Sequence, residues 1–529
     1  MKKIRIFAAI ILTFTVTFAF AACTPNNVVD EGTREVGNRE LVIGVPGTIG
    51  SLDVNQEAGI LNYYIATLVS EGLVAISNDG RIIPALAVSW ETDDYSVWTF
   101  NIRQDARFSD GSPVTMEDII WSIERAMNPE VSPAVAIHFI DIVESLERVN
   151  DATLQINLNG AHPNFIWSVS NVAGLFVTQR VWGEAAASIG SPQDLLLGSG
   201  PYRVVQFNPG SSVTLEAGEY WWGGTPEIER VRFDFITDDT ARLFAFAQGS
   251  VDFMLNIPVE QSEQWEDVSG ATVRFFSDRS YYGLTIDSTV WPFDNELVRR
   301  AVAYSVNAQG IVDSILAGRA TPATAITPPE QFASVLDVAH AKSLLAELTH
   351  YQFNIQRARE EFELSGIEPF ETTVFFPSTF PNVGRASLVL ADSLSEIGIT
   401  LNVREQTLEQ WLSEIGSAEH GISWMIYFAT TARPSEIASW LLDGTGPGFN
   451  PANFTNEEIA GLIQSVLSVS AEDGLDDLLR AHDLAGAMVY YIPVWWGESA
   501  VAWNEQITVS DFNSFTLLSE NWLQHFAFN

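Results

Sequence analysis

An α/β fold of more than one domain is what this sequence predicts, and three observations carry the prediction. Segments of apolar period two alternate along the chain with segments of helical period, the pattern of layered strands and helices. At roughly 150 residues per domain, 529 residues correspond to three or four domain-sized units. The 47% of apolar residues, against 18% charged, supply a large core and exclude disordered, collagen-like and coiled-coil chains.

The elements follow in chain order. Lys2, Lys3 and Arg5 precede an uncharged run from Ile6 to Ala22 that ends Phe20-Ala21-Ala22-Cys23. A basic start, an apolar centre and small residues before a cut describe a secretory signal over residues 1–22, and the run is at the short limit for a membrane span. Thr24 to Arg39 is polar and turn-rich, so 23–40 reads as a flexible tether. Cys23 is the single cysteine, which excludes disulfides, CxxC zinc sites and iron–sulfur clusters.

In the body, Trp98–Arg103, Val213–Ala217 and Val231–Phe235 alternate apolar and polar residues and are expected to be half-buried strands. Gly200-Pro201 suits a strand entry, after which Tyr202, Val204 and Phe207 face a core. A turn at Ser109-Asp110-Gly111 leads to a helix over Pro113–Met127. There Thr115 caps, Glu117 and Asp118 complement the dipole, and Ile119, Ile123 and Ala126 share a face. A second helix follows Thr237, with Leu243, Phe244 and Phe246 inside and Gly249 ending it. A third spans Asn295–Val306, with Leu297, Ala301 and Tyr304 on the packed face and Arg299 and Arg300 flanking it. A fourth, Ala386–Ile397, is closed by Gly398 before a strand at Ile399–Val403.

Charge and motifs narrow the chemistry. With 27 Lys+Arg against 67 Asp+Glu the formal charge is −40, which repels a phosphate backbone and excludes nucleic-acid binding. The seven His make no HExxH, Gly497-Glu498-Ser499-Ala500-Val501 lacks the last Gly of a nucleophile elbow, and Lys342 follows no Gly-rich phosphate loop. Adjacent acids such as Asp93-Asp94 and Asp238-Asp239 read as solvated surface and helix starts rather than a glycosidase pair. Neither catalytic residues nor a metal or cofactor site is expected. Aromatic pairs are more informative: Tyr63-Tyr64, Trp221-Trp222, Tyr281-Tyr282 and Trp495-Trp496. Each is either core packing or a ligand platform.

Eight blocks, in order, carry a family resemblance: Pro84–Trp90, Trp98–Arg103, Phe108–Asp118, Gly198–Val204, Gln248–Asp252, Pro292–Tyr304, Ile397–Val403 and Tyr491–Val494. Together they resemble the family 5 solute-binding proteins, receptors of oligopeptide, dipeptide and nickel ABC importers. Phe20–Cys23 likewise resembles a lipobox, with Phe20 where Leu is usual, which implies a diacylglycerol on Cys23. The resemblance implies a periplasmic-binding-protein-like fold of the large class II type, with ligand in an interlobe cleft. Residues 41–286 plus 497–529 would form lobe I, with an extra subdomain at 73–198, and residues 287–496 lobe II. It further implies an exported monomer, anchored by lipid to the outer face of the cytoplasmic membrane or periplasmic, that hands a small molecule or short peptide to ABC permease and ATPase subunits. An oligosaccharide or other non-peptide binder, an extracellular hydrolase and an adhesive lipoprotein stay open as alternatives.

Candidate ligand contacts follow from both readings. Trp495 and Trp496 come after Pro493, where the resemblance places a chain crossing beside the cleft; Tyr63 and Tyr281 come from the aromatic pairs. In Trp424–Glu436, peptide-binding members carry an aspartate for the α-amino group a few residues before a Pro. Counting back from Pro434 places Thr430 there, and no acid lies between Trp424 and Arg433. An ammonium left unpaired in a cleft costs several kcal/mol, roughly. The expectation is therefore a ligand other than an ordinary free-amine peptide, with Tyr427 and Arg433 suiting an anionic, glycosidic or blocked one.

Overall fold

A computed structural model describes residues 39–529 except 173, 415–420, 430 and 444–449, so Cys23, the signal segment and Thr430 lie outside the described residues. Its central nine-stranded sheet is built on Glu40–Val45, an apolar strand paired in parallel with Arg230–Phe235 on one side and Phe253–Ile257 on the other. Beyond Arg230–Phe235 come Ser212–Ala217 and Tyr202–Asn208, both antiparallel. Beyond Phe253–Ile257 come Tyr491–Trp503, Thr272–Ile286 and Ile422–Phe428, with Ala320–Pro322 adding to Tyr491–Trp503. Two smaller units flank this sheet. One is an antiparallel sheet of Ala87–Glu91, Val97–Ile102, Thr153–Leu158 and Val143–Asn150; the other pairs Phe370–Pro377 in parallel with Ile399–Gln406 across the Pro381–Ser395 helix.

The two longest strands, Thr272–Ile286 and Tyr491–Trp503, run from one core to another. Their register shifts between Ser277 and Tyr281. Before the shift, Val273 and Phe275 pack with Ala500 and Ala502 on a core that includes Met254 and Trp265. After it, Tyr281, Leu284, Ile492 and Val494 belong to a core drawn from residues 281–496. Arg279 takes φ +62° within the break. Gly497 lies across from it, where a Cβ would collide with Ser280 Oγ and Asp278 Oδ1. A side chain there would displace the Ser280 hydroxyl and the Asp278 carboxylate from their positions.

Local sequence signals translate well. Thr115 and Asp118 form a capping box on the Met116–Met127 helix, and Gly111, Gly249 and Gly398 take positive φ at their turns. Tyr202, Val204 and Phe207 are all buried, the change of parity being absorbed by a shift between Val204 and Gln206. Three expectations are corrected. Phe244 is 59% exposed, because the buried stripe of the Asp239–Ala247 helix runs through Arg242 and Phe246 and position 244 falls opposite. On the Glu296–Ser305 helix the packed face is Val298, Ala301 and Val302. Arg299 lies inside, donating from Nε to the carbonyl of Met488 (3.0 Å) and from Nη1 to that of Phe293 (2.9 Å). The fourth helix starts earlier, at Pro381, a residue suited to a first helical turn. Among the described residues no helix is long and apolar enough to cross a membrane.

Candidate functional site

Two cavities lie along the register break, and a third adjoins the first at Phe428. The first, about 320 Å³, takes Tyr63 and Tyr64 from the Ile60–Val69 helix, Asp278 and Arg279 from the break, and Phe428. The second, also about 320 Å³, shares Asp278 and adds Tyr282, Trp495 and Glu498. The third, about 230 Å³, shares Phe428 and is walled by His138, Trp167, Tyr427, Arg433 and Trp440. A fourth cavity, around His350 and His482, holds only about 30 Å³ and touches none of these.

Strand alternation decides which aromatic of each pair faces this space. Tyr282 stands opposite Trp495 and Tyr281 opposite Trp496. Tyr282 and Trp495 stack at 4.6 Å and 16° on the cavity side. Tyr281 and Trp496 line none of these cavities. Tyr281 is fully buried, and burial raises its phenol far above the ordinary range. Trp496 is 3% exposed and donates from Nε1 to the carbonyl of Ala325 at 3.0 Å. Tyr63 borders the first cavity, its ring 6.1 Å from Phe176 and its pKa pushed up to about 12 by burial.

The break itself carries charge. Asp278 accepts from Ser280 N at 2.9 Å and Ser499 Oγ at 3.0 Å. Arg279 is 5% exposed with its guanidinium 4.5 Å from the Phe515 ring; burial lowers its pKa, opposed by Glu436, Tyr64, Asp278 and Glu330. Burial raises the Glu330 carboxyl, and Tyr64 is pushed up to about 12 mainly by burial.

The third cavity gathers the Tyr427–Glu436 stretch. Glu436 is buried and accepts from Thr431 N (3.0 Å), Gln331 Nε2 (3.2 Å), Tyr427 OH (3.3 Å) and Thr431 Oγ1. Burial and then Glu436 raise the Tyr427 phenol well above its ordinary value. Burial lowers the His138 imidazole, Arg433 adds to the lowering, and Glu436 opposes it. Of the candidates from sequence, Tyr63, Tyr427, Arg433 and Trp495 therefore border the three cavities. Sequence reasoning missed Asp278, Arg279, Tyr282, His138 and Trp167. The usable signal was Asp278-Arg279, two charges in mid-strand; His138 and Trp167 lie more than two hundred residues from the stretch they face.

A family model described as bacterial extracellular solute-binding proteins, family 5 Middle, matches residues 81–449. The glutathione-binding protein GsiB of Salmonella typhi is 24% identical over 446 residues, covering 82% of this chain and 84% of that protein. HbpA2 from Haemophilus parasuis superposes with a TM-score of 0.80 at 19% identity, covering 93% of this chain and 100% of that one. A periplasmic binding protein, DppA of Helicobacter pylori, in complex with the peptide STSA, gives a TM-score of 0.74 at 20% identity, covering 93% and 98%.

Proposed function

Because the chain belongs to the bacterial extracellular solute-binding proteins of family 5, we propose that it captures a peptide-like or other small polar solute between two lobes and delivers it to the permease of an ABC importer. The fold is the two-lobed α/β fold of periplasmic binding proteins. The observation that carries the reading is the string of cavities at Asp278–Ser280 and Gly497, where the long strands pass from one core to the other. A ligand lodged there touches residues of both cores, so its binding energy favours the closed arrangement.

Lobe I would comprise residues 41–286 and 497–529, with the subdomain at 73–198, and lobe II residues 287–496. The ligand contacts would be Tyr63, Tyr427, Arg433 and Trp495, joined by Tyr282 and Asp278, and Thr430 stays a candidate by sequence alone. Tyr281 and Trp496 would hold the strand pair from behind. No bond is made or broken in this role, and ATP is hydrolysed by a separate subunit. Residues 1–22 would be removed on export and Cys23 lipidated, so a monomer is tethered outside the cell membrane. GsiB binds glutathione, as its name says, and DppA holds a tetrapeptide, which favours a peptide-like solute here.

Native mass spectrometry of the protein purified from its host, followed by calorimetric titration with the released compound, tests the reading. A stoichiometric small solute whose return raises the melting temperature is expected; turnover of that solute would point instead to a hydrolase. Cys23→Ser is expected to move the protein from the membrane fraction to the soluble one. Unchanged membrane retention would refute lipid anchoring.

A further inference from the structure

We propose that the cavity around Arg433 seats a carboxylate of the ligand, so that the transported solute is an anion at that end. This deepens the proposed role and rests on it. Among the described residues Arg433 forms no ion pair and its side chain makes no hydrogen bond, while its Nε is sealed from solvent without an acceptor. Arg433 as a whole is half-buried, but a sealed Nε–H without an acceptor is costly, and a ligand acceptor relieves that cost.

The internal acid best placed to pair with it is committed elsewhere. Glu436, one helical turn further along the chain, has its carboxylate taken by Thr431, Gln331 and Tyr427. Glu436 also lines the cavity, but its charge acts first on Arg279, which leaves Arg433 as the cation there without an acid of its own. Trp167 and Trp440 make the walls apolar, which strengthens an ionic contact inside. His138 also lines the cavity, with its pKa lowered by burial and Arg433, so near neutral pH it adds no second positive charge. One guanidinium balances one singly charged, planar carboxylate, whose two oxygens match the fork of Arg; a phosphate dianion would be half neutralised. His138 and Trp167 come from the 73–198 stretch and Tyr427, Arg433 and Trp440 from the 287–496 stretch, so the carboxylate would be read by both walls.

The test is calorimetric titration of the whole purified protein with Ala-Ala-Ala as free acid and as C-terminal amide, each with free and acetylated N-terminus. The native protein is expected to prefer the acid by about tenfold or more. Arg433→Gln should bring the two forms within about twofold of each other by weakening the acid, in a variant whose melting temperature is not lowered, since no side-chain contact of the fold is lost. Arg433→Lys, which keeps the charge but not the fork, should fall between. Equal binding of acid and amide by the native protein overturns the carboxylate assignment and leaves the peptide-carrier reading standing. A preference that survives Arg433→Gln in a folded variant also overturns it. Binding of neither form overturns the peptide-carboxylate assignment and leaves the reading as a carrier of another solute standing.

Discussion

Two clusters of buried charge in this molecule differ in whether there is room beside them. In the cleft, Arg279, Glu436 and Arg433 line open cavities, with Glu330 acting on Arg279 from behind. Away from it, Glu71 and Glu520 influence one another beside Arg103, whose guanidinium lies 3.2 Å from the Trp222 ring. Trp222 Nε1 donates to Glu71 at 2.7 Å, and neither carboxylate lines any cavity described above. Glu71 Oε2 and Glu520 Oε1 have no hydrogen-bond partner among the described residues. Where packing closes over a carboxylate, protonation is the way to relieve the desolvation; where a void remains, a ligand can do it. The same ingredient therefore serves stability in one place and recognition in the other.

The largest expected effect lies at the closed cluster. Burial pushes Glu71 up to about 7 and Glu520 up to about 8, against the partial relief given by Trp222 and Arg103. Both groups bind protons more tightly folded than unfolded, so their contribution is full below the ordinary glutamate pKa and is lost as pH rises through about 7 to 8. His482 works the other way: burial depresses it to about 4, so the stability it allows is lost as pH falls from 6.5 through that value. From about pH 4.5 to about 8 the two glutamates outweigh the one histidine, so stability should fall across that range as pH rises. Glu520→Gln should raise stability at pH 9 by a few kcal/mol, roughly, and flatten the alkaline decline without changing ligand affinity. Thermal melts from pH 5 to 9 check this; an alkaline decline unchanged in the variant would refute it.

A smaller effect is expected in the cleft. A carboxylate docked on Arg433 offsets the guanidinium that helps hold the His138 pKa down. The bound state then takes up protons, so affinity for the acid form of the peptide should rise a few-fold as pH falls from 8 to 5.5, while the amide's affinity stays flat. His138→Gln should abolish the slope. Acid and amide forms with the same pH profile would dissociate His138 from the anion, because the peptide carboxylate stays ionised throughout that range.

How much of this was legible beforehand follows from how local each determinant is. Capping at Thr115 and the positive-φ glycines are decided within a few residues, and they were readable. The aromatic pairs were readable only as pairs. Whether Trp495 or Trp496 faces the cleft depends on parity, and parity depends on a register break at Asp278–Ser280 that no period announces. Arg433 could be named, but its want of a partner could not. That depended on Gln331, a hundred residues away, helping to engage Glu436, and on His138 arriving from the short Ala136–His138 helix. A buried Arg299 was misplaced for the same reason: its acceptors, the carbonyls of Met488 and Phe293, exist only after folding.

The smallest expected effect separates both clusters from the surface. Loss of Lys2, Lys3 and Arg5 with the signal would take the formal charge from −40 to −43, most of it on exposed acids that repel one another. At molar NaCl the screening length shrinks to about 3 Å, so surface repulsion is damped while interactions through the protein interior are not. The melting temperature should therefore rise modestly with salt. The alkaline decline assigned to Glu71 and Glu520 should keep its slope at molar NaCl, because those carboxylates are shielded from ions by the packing that raised their pKa. The acid-over-amide preference at Arg433 should weaken more than the pH slope does, because Trp440, on the cavity wall, is 39% exposed and lets ions approach. Melts and titrations at low and molar salt make the comparison. A pH slope erased by salt would move Glu71 and Glu520 to the surface class and remove the contrast between the two clusters. A melting temperature indifferent to salt would mean instead that the surface acids are already paired or too far apart to interact.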